Sequence, residues 1–218
     1  MGQLFEKRAN SVARAALIGV PLLVLGAAAA IFAYARSDFW TQVESPLDQP
    51  VPFSHQHHVG GLGIDCRYCH TGAEQSSFAG VPPTETCMTC HSQVWKDAPV
   101  LQPLRDSWAT GRPLKWTRVH DLPDYVYFNH SIHVKKGVGC ATCHGQVNEM
   151  PLIWKTRQLQ MRWCLDCHRA PQKYLRPISE VVDMTYRPPA NQLAFGQELL
   201  HTNNVQTAGL TDCYTCHR

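Results

Sequence analysis

Phe128-Asn129-His130-Ser131-Ile132-His133-Val134-Lys135-Lys136-Gly137-Val138-Gly139-Cys140-Ala141-Thr142-Cys143-His144 is the stretch on which the fold turns. It ends in two thiols three positions apart with an imidazole directly after the second. The same pattern recurs at Cys66/Cys69/His70, Cys87/Cys90/His91, Cys164/Cys167/His168 and Cys213/Cys216/His217, and the five copies use all 10 cysteines. Cys-x-x-Cys-His is the attachment pattern of c-type haem. The thiols add to the haem vinyl groups as thioethers, and the next imidazole reaches the iron from one side. Zinc sites also use Cys-x-x-Cys, but zinc gives no reason for a histidine after every second cysteine. Disulfide frameworks demand no fixed spacing of two. Five covalently attached c-type haems are therefore expected, with the ten cysteines as anchors and His70, His91, His144, His168 and His217 as proximal iron ligands.

Of the 12 histidines, seven remain: His55, His57, His58, His120, His130, His133 and His201. Their number matters, because a haem ligated on both faces mainly passes electrons, whereas an open one can bind a small molecule. The opening stretch is also half of an internal repeat. Phe53-Ser54-His55-Gln56-His57-His58 matches Phe128-Asn129-His130-Ser131-Ile132-His133, and each copy is followed by a Gly-containing run and two haem motifs. The architecture reads as two similar two-haem units plus a fifth haem at the C-terminus. Histidines at i and i+3 share a helix face but point to slightly different places, so each copy can serve two haems. His55, His58, His130 and His133 are expected as distal ligands. His120 is the choice for the fifth, ahead of His201 and Met161, while His57 is expected to face solvent or a propionate.

Upstream, Ala15 to Ala35 is an uncharged apolar run. At 1.5 Å rise per residue it gives about 31 Å of helix, the thickness of a bilayer core. Lys7, Arg8 and Arg14 precede it, opposed by Glu6. The positive-inside rule puts the N-terminus in the cytoplasm and the rest outside. A cleaved leader is the competing reading, since Ala33-Tyr34-Ala35 fits a cleavage site, but the run exceeds a signal's apolar core of about 7–15 residues. The expected organisation is a cytoplasmic tip and transmembrane anchor over 1–36, then an exported pentahaem domain over 37–218.

The net charge is +3, and Lys7, Arg8, Arg14 and Arg36 against Glu6 account for all of it. Charged residues are 17 %, below the roughly 25 % of a soluble globular chain, which excludes a polybasic nucleic-acid binder. With ionised propionates the outer part becomes acidic, favouring a positively charged docking partner. It is too short for an ordinary core around each cofactor, and it lacks two-residue alternation. The fold class expected is mainly α and irregular, wrapped around a haem stack. Two stretches lie outside the motifs. Residues 92–119 carry Trp95, Trp108 and Trp116, and residues 169–212 contain the run 191–200, where a helix is expected with Asn191 as N-cap. No phosphate loop, nucleophile elbow or metalloprotease motif is present, so no catalytic residue is expected in this chain.

The order of anchor, Phe-x-His-x-x-His, two haem motifs, the stretch Arg118-Val119-His120-Asp121-Leu122-Pro123-Asp124-Tyr125-Val126-Tyr127 leading into Phe128, and three more haem motifs resembles the pentahaem membrane-anchored cytochrome c subunit of alternative complex III. The resemblance covers 15–218. It implies an electron-transfer subunit of a menaquinol:acceptor oxidoreductase in the cytoplasmic membrane, with the haems on its outer, periplasmic side. The implied partners are polytopic quinol-binding subunits, an iron–sulfur subunit, a monohaem cytochrome and a soluble acceptor. A self-sufficient membrane-anchored quinol dehydrogenase is the alternative. A small-molecule reductase with an open haem is opposed by the surplus of histidines.

Overall fold

A computed structural model describes residues 6–217. The chain divides into two units, 1–43 and 44–218. In the first, α1 (Lys7–Ala35) runs unbroken through Pro21. It begins eight residues before the apolar run, so it includes Arg8 and Arg14. It is long and apolar enough to cross a membrane. Its Leu, Val and Ile side chains are exposed all round, as lipid-facing side chains would be. The Arg36 guanidinium lies 4.1 Å over the Phe32 ring. Tyr34 meets Phe39 and Trp40 at 6.1 and 5.6 Å, forming an aromatic cluster at the helix end. Ser37 caps the single turn α2 (Asp38–Thr41).

The second unit is built from short helices. They are a π-helical turn (Gln56–Gly61), α3 (Cys66–Cys69), α4 (Thr84–His91), α5 (Gln102–Thr110), α6 (His130–Lys135), α7 (Cys140–His144), α8 (Met161–Arg169), α9 (Gln192–Thr202) and α10 (Cys213–Cys216). Four 3-10 turns (Pro99–Leu101, Val147–Glu149, Pro171–Lys173 and Ile178–Glu180) join them. No strand is present among the described residues, and an isolated antiparallel bridge joins Val138 to Leu175. The mainly α and irregular class is the one observed.

Apolar side chains form three small clusters rather than one core. Val51, Leu101 and Leu104 pack with Cys87, Met88, Leu114 and Trp116. Val147, Met150 and Met184 pack with Cys66, Cys140 and Trp154. Leu175, Leu199 and Leu200 pack with Val138 and Phe195. Motif cysteines thus belong to two of the three clusters. Trp116 is packed, but Trp95 and Trp108 stay 65 % and 50 % exposed, so only one of the three tryptophans covers the interior. Hydrogen bonds between Thr84 and Ser107 (2.7 Å), and from Ser107 to the Arg112 carbonyl (2.6 Å), tie α4 to α5.

The repeat is visible in three dimensions, with one difference. The second copy begins the regular helix α6, whereas the first enters a π-helical turn, with the Leu62 N–H donating five residues back to the His57 carbonyl (3.0 Å). His58 to Cys66 is one residue longer than His133 to Cys140. A π turn absorbs one extra residue without displacing the chain downstream, so both copies deliver their cysteines comparably.

Helix α9 starts at Asn191 as expected, but the Asn191 side chain makes no capping bond. What holds the helix is close approach. A Cβ on Gly196 would run into the backbone of Gln172, and the Gln192 amide donates to the carbonyls of Gln172 and Leu175 (3.0 and 2.9 Å). Gly196→Ala is expected to destabilise the protein by about 1–3 kcal/mol through overpacking, read as a lowered thermal midpoint with the helix content unchanged.

Candidate cofactor and metal-ligand sites

Each Cys-x-x-Cys-His motif sits on a helical turn. Such a turn sets residues i and i+3 on one face, so each pair of sulfurs shares a side and the histidine leaves from the end. Cys66 opens α3, Cys140 opens α7 and Cys213 opens α10, while the other two pairs lie inside α4 and α8. Asp65 fixes the first turn by accepting from the Arg67 N–H (2.8 Å) and binding the Arg67 guanidinium, which also reaches Glu74 (3.2 Å). None of the ten cysteines is in a disulfide.

The ten sulfurs are not equivalent in exposure. Cys90 and Cys213 are exposed, whereas the other eight cysteines are half-buried. At Cys90 the cause is the way α4 packs. Cys87 and Met88 make the contacts with Val51, Leu101 and Leu104, and Cys90 follows in the last turn, outside that cluster. The Thr89 hydroxyl lies 3.9 Å from its sulfur and is itself exposed. Cys213 opens α10 close to the end of the chain, where little packs over it. Among the buried sulfurs, burial pushes the thiols up, Cys140 and Cys167 to about 11 and Cys143 to about 12. A sulfur in such a place suits a neutral thioether better than the thiolate that zinc needs. No group of three or more His, Cys, Asp or Glu placed to hold a metal ion occurs among the described residues.

Seven of the histidines share one arrangement. Nδ1–H donates to a backbone carbonyl in His70 (Gly80, 2.7 Å), His91 (Val94, 3.0 Å), His168 (Leu210, 2.7 Å) and His217 (Tyr125, 3.1 Å). It does so also in His58 (Ser54, 2.8 Å), His130 (Ser77, 3.0 Å) and His133 (Asn129, 2.7 Å). A carbonyl can only accept, so the proton is on Nδ1 and the lone pair is on Nε2. This is the tautomer and orientation that a metal ligand requires.

The rings then meet in pairs. His58 faces His91 at 6.1 Å between ring centres, His130 faces His144 at 6.4 Å, and His133 faces His168 at 6.1 Å. Two imidazole nitrogens, each about 2 Å from one metal on opposite sides, put ring centres about 6 Å apart. His55 is near enough to His70 and His58 for their charges to oppose its protonation, and burial, the larger cause, pushes it down to about 4. Its Nδ1 is buried without a partner. Phe53 and Phe128 repeat one contact pattern. Each stacks on the second histidine of its copy (4.4 and 4.5 Å) and meets the first edge-on (4.9 and 4.7 Å).

His120 is buried beside His144, 4.3 Å between ring centres, with its Nε2 unpartnered. Burial, then Lys155 and His130, hold it at about 4. His144 thus has two histidine neighbours. The ring facing His217 is Tyr125, stacked at 5.8 Å. Of the other candidates, Met161 is 63 % exposed at the start of α8, and His201 is exposed on α9. His57 is exposed and stacks on Trp95 at 6.3 Å. A cavity of about 310 Å³ opens between Ile64, Asp65 and Cys66 on one side and Asn148, Asp183 and Met184 on the other. The paired sulfurs, the lone pairs on Nε2 and the ring spacings fit a c-type haem at these motifs.

Asp65 lends itself to a simple test. Its hydrogen bonds with Arg67 hold its carboxyl below the ordinary value of 3.8, so the folded state binds its proton less readily than the unfolded chain. The stabilisation is present above that value and is lost as pH falls through the depressed one. Asp65→Ala is expected to cost about 1 kcal/mol as a lost cap, read as a lower melting midpoint at pH 7, with the difference from wild type vanishing in strong acid.

Residues 126–218 match the family of cytochrome c7 and related cytochromes c. A wider similarity runs to the multihaem cytochrome c subunit of the menaquinone reductase of Nitratidesulfovibrio vulgaris strain Hildenborough. Identity is 31 % over 179 residues, covering 80 % of this chain and 79 % of that protein. With that breadth of similarity added to the motifs and their geometry, the chain belongs to the multihaem cytochromes c.

Proposed function

We propose that this chain is the electron-relay subunit of a membrane quinone oxidoreductase, carrying five covalently attached c-type haems. The observation that carries the reading is the set of Nδ1–H bonds to backbone carbonyls, which leaves the Nε2 lone pairs free on rings whose centres lie 6.1 Å apart in the pairs His58/His91 and His133/His168. The cysteine pairs 66/69, 87/90, 140/143, 164/167 and 213/216 are the attachment points. Cys90 and Cys213 are exposed, which supports electron entry or exit at the outer edges of those two sites. His70, His91, His144, His168 and His217 are the proximal ligands. His55, His58, His130 and His133 are the distal partners of His70, His91, His144 and His168 in that order. His120, packed against the same His144, is held as a second buried neutral imidazole at that site. When bound, each haem supplies a one-electron iron couple. The residues around it fix ring orientation, exclude water and keep the ligands neutral. Two-sided ligation at His70, His91, His144 and His168 leaves no open iron position there for substrate chemistry, and no catalytic residue is assigned.

The partners follow from the resemblance to alternative complex III: polytopic quinol-binding subunits, an iron–sulfur subunit and a monohaem cytochrome. In that reading electrons leave menaquinol and pass outward to a soluble acceptor. The relative in Nitratidesulfovibrio vulgaris is named a menaquinone reductase, which supports a second reading in which electrons run toward menaquinone. Helix α1 is read as a single-pass anchor in the cytoplasmic membrane, with Lys7, Arg8 and Arg14 on the cytoplasmic side and the cytochrome domain, from residue 37, outside.

Denaturing mass spectrometry is expected to give the apoprotein mass plus five haem increments, and each Cys→Ala pair replacement one fewer. Fewer than five in the wild type overturns the motif count. Ferric EPR is expected to be dominated by low-spin signals. His133→Ala is expected to keep all five increments while converting about one haem to high spin. A complex purified in mild detergent is expected to oxidise menaquinol with cytochrome c as acceptor, and the isolated chain to lack that turnover. Reduction of a menaquinone analogue by the complex, without the reverse reaction, selects the second reading. Menaquinol oxidation by the isolated chain selects a self-sufficient quinol dehydrogenase.

A further inference from the structure

Arg176 is a cation in the interior. Its side chain is among the few buried polar ones described, 8 % exposed. Its Nη1 donates to the carbonyls of Asp183 (3.0 Å) and Glu180 (3.4 Å), and its Cζ lies 4.5 Å over the Tyr186 ring. Its Nε is buried and has no partner. The ion pairs among the described residues involve Arg67, Lys96 and Arg118, not Arg176. Carbonyl dipoles and a ring face therefore hold the charge without neutralising it, an arrangement that costs stability and that the fold nonetheless maintains.

Its location is specific. A Cβ on Gly139 would collide with the Cζ and Nε of Arg176, so the guanidinium lies directly on the backbone one residue before Cys140. The 176–181 segment is pinned there from both sides, by the Arg176 N–H to the Gly137 carbonyl (2.9 Å) and the Cys140 N–H to the Val181 carbonyl (2.9 Å). The field of Arg176 acts on the Cys140 sulfur and on the Asp183 carboxylate. Asp183 is itself engaged by the N–H and hydroxyl of Thr185 (2.7 Å each). Asp65 also acts on Cys140, but it is paired with Arg67.

We propose that Arg176 is a potential-setting residue for the haem attached at Cys140 and Cys143, raising that haem's reduction potential through its buried positive charge. The proposal rests on the reading of Cys140-Ala141-Thr142-Cys143-His144 as a haem site. Reduction adds one electron to the iron couple, and a fixed cation nearby favours the more negative, reduced state. In a medium of effective dielectric about 20, a unit charge at a separation of about 10 Å changes a one-electron equilibrium by about tenfold.

The test is a spectroelectrochemical titration of the complete chain in detergent, after mass spectrometry has counted its haems. Arg176→Gln with five haems retained is expected to lower one midpoint by about 59 mV, the equivalent of tenfold for one electron. Arg176→Lys, which keeps the charge but loses the planar fork, is expected to restore most of it. Unchanged midpoints in Arg176→Gln, or an equal fall in Arg176→Lys, overturn the proposal and leave Arg176 a tether for residues 180–183. Should Arg176→Gln yield no loaded protein, Asp183→Asn decides. It removes a negative charge beside Arg176 and leaves the carbonyl contacts in place, so the same midpoint rises. No rise overturns the proposal. A wild-type chain without a haem on Cys140 and Cys143 overturns the underlying site reading instead, and mass spectrometry alone reveals that.

Discussion

A backbone carbonyl accepting the Nδ1 proton of a histidine is the interaction on which the second unit is organised. An imidazole on a one-turn helix has free rotation about two bonds and two tautomers. One hydrogen bond removes both freedoms and directs the Nε2 lone pair. Four of the five motif histidines carry such a bond, and so do three of the four histidines of the repeat. The irregular loops are what bring the carbonyls of Gly80, Ser77, Leu210 and Tyr125 to the right places. A more regular fold would spend those carbonyls on its own ladders.

The duplicated Phe-x-His-x-x-His element reuses this device with a fixed geometry. Its second histidine donates to the carbonyl four residues back, and its phenylalanine stacks on that ring while meeting the first histidine edge-on. The pairs His58 with His91 and His133 with His168 then occupy the same relative place in both copies. The π-helical turn at Gln56–Gly61 keeps the copies equivalent despite the extra residue. Where the copies differ is at His144, which meets both His130 and His120.

Much of this was readable from residue types. Regular spacing of Cys and His announced the motifs, and the lack of alternation announced a fold without strands. The uncharged run from Ala15 announced a long helix, although its charged first turns were not included in the reading. The candidates His55, His58, His120, His130 and His133 all prove buried or ring-paired, while Met161 and His201 lie at the surface. Spacing could not tell that Cys90 is open while its partner Cys87 is packed, because that depends on where α5 crosses α4. Backbone chemistry was hidden too. Nothing in the letters at Gly80 or Leu210 tells that their carbonyls accept from a histidine, since every residue has a carbonyl. Arg176 also escaped notice, because a buried arginine looks the same in sequence as a solvated one until Gly139 is seen beneath it. Asn191 marked the start of a helix correctly for the wrong reason, since close packing at Gly196 and not a cap secures α9.

The carbonyl clamps differ in how far along the chain they reach, and that difference sets a timetable for maturation. Val94 is three residues from His91 and Gly80 is ten from His70, so these two rings can be oriented as soon as the local chain has emerged. Leu210 lies 42 residues beyond His168, and Tyr125 lies 92 before His217. Closing such loops carries more entropy cost and needs all of the intervening segment present. The first two motifs are therefore self-sufficient during biogenesis. The last two stay unlocked until Leu210 and His217 themselves have been made, which makes the few residues around them the fasteners of residues 125–217.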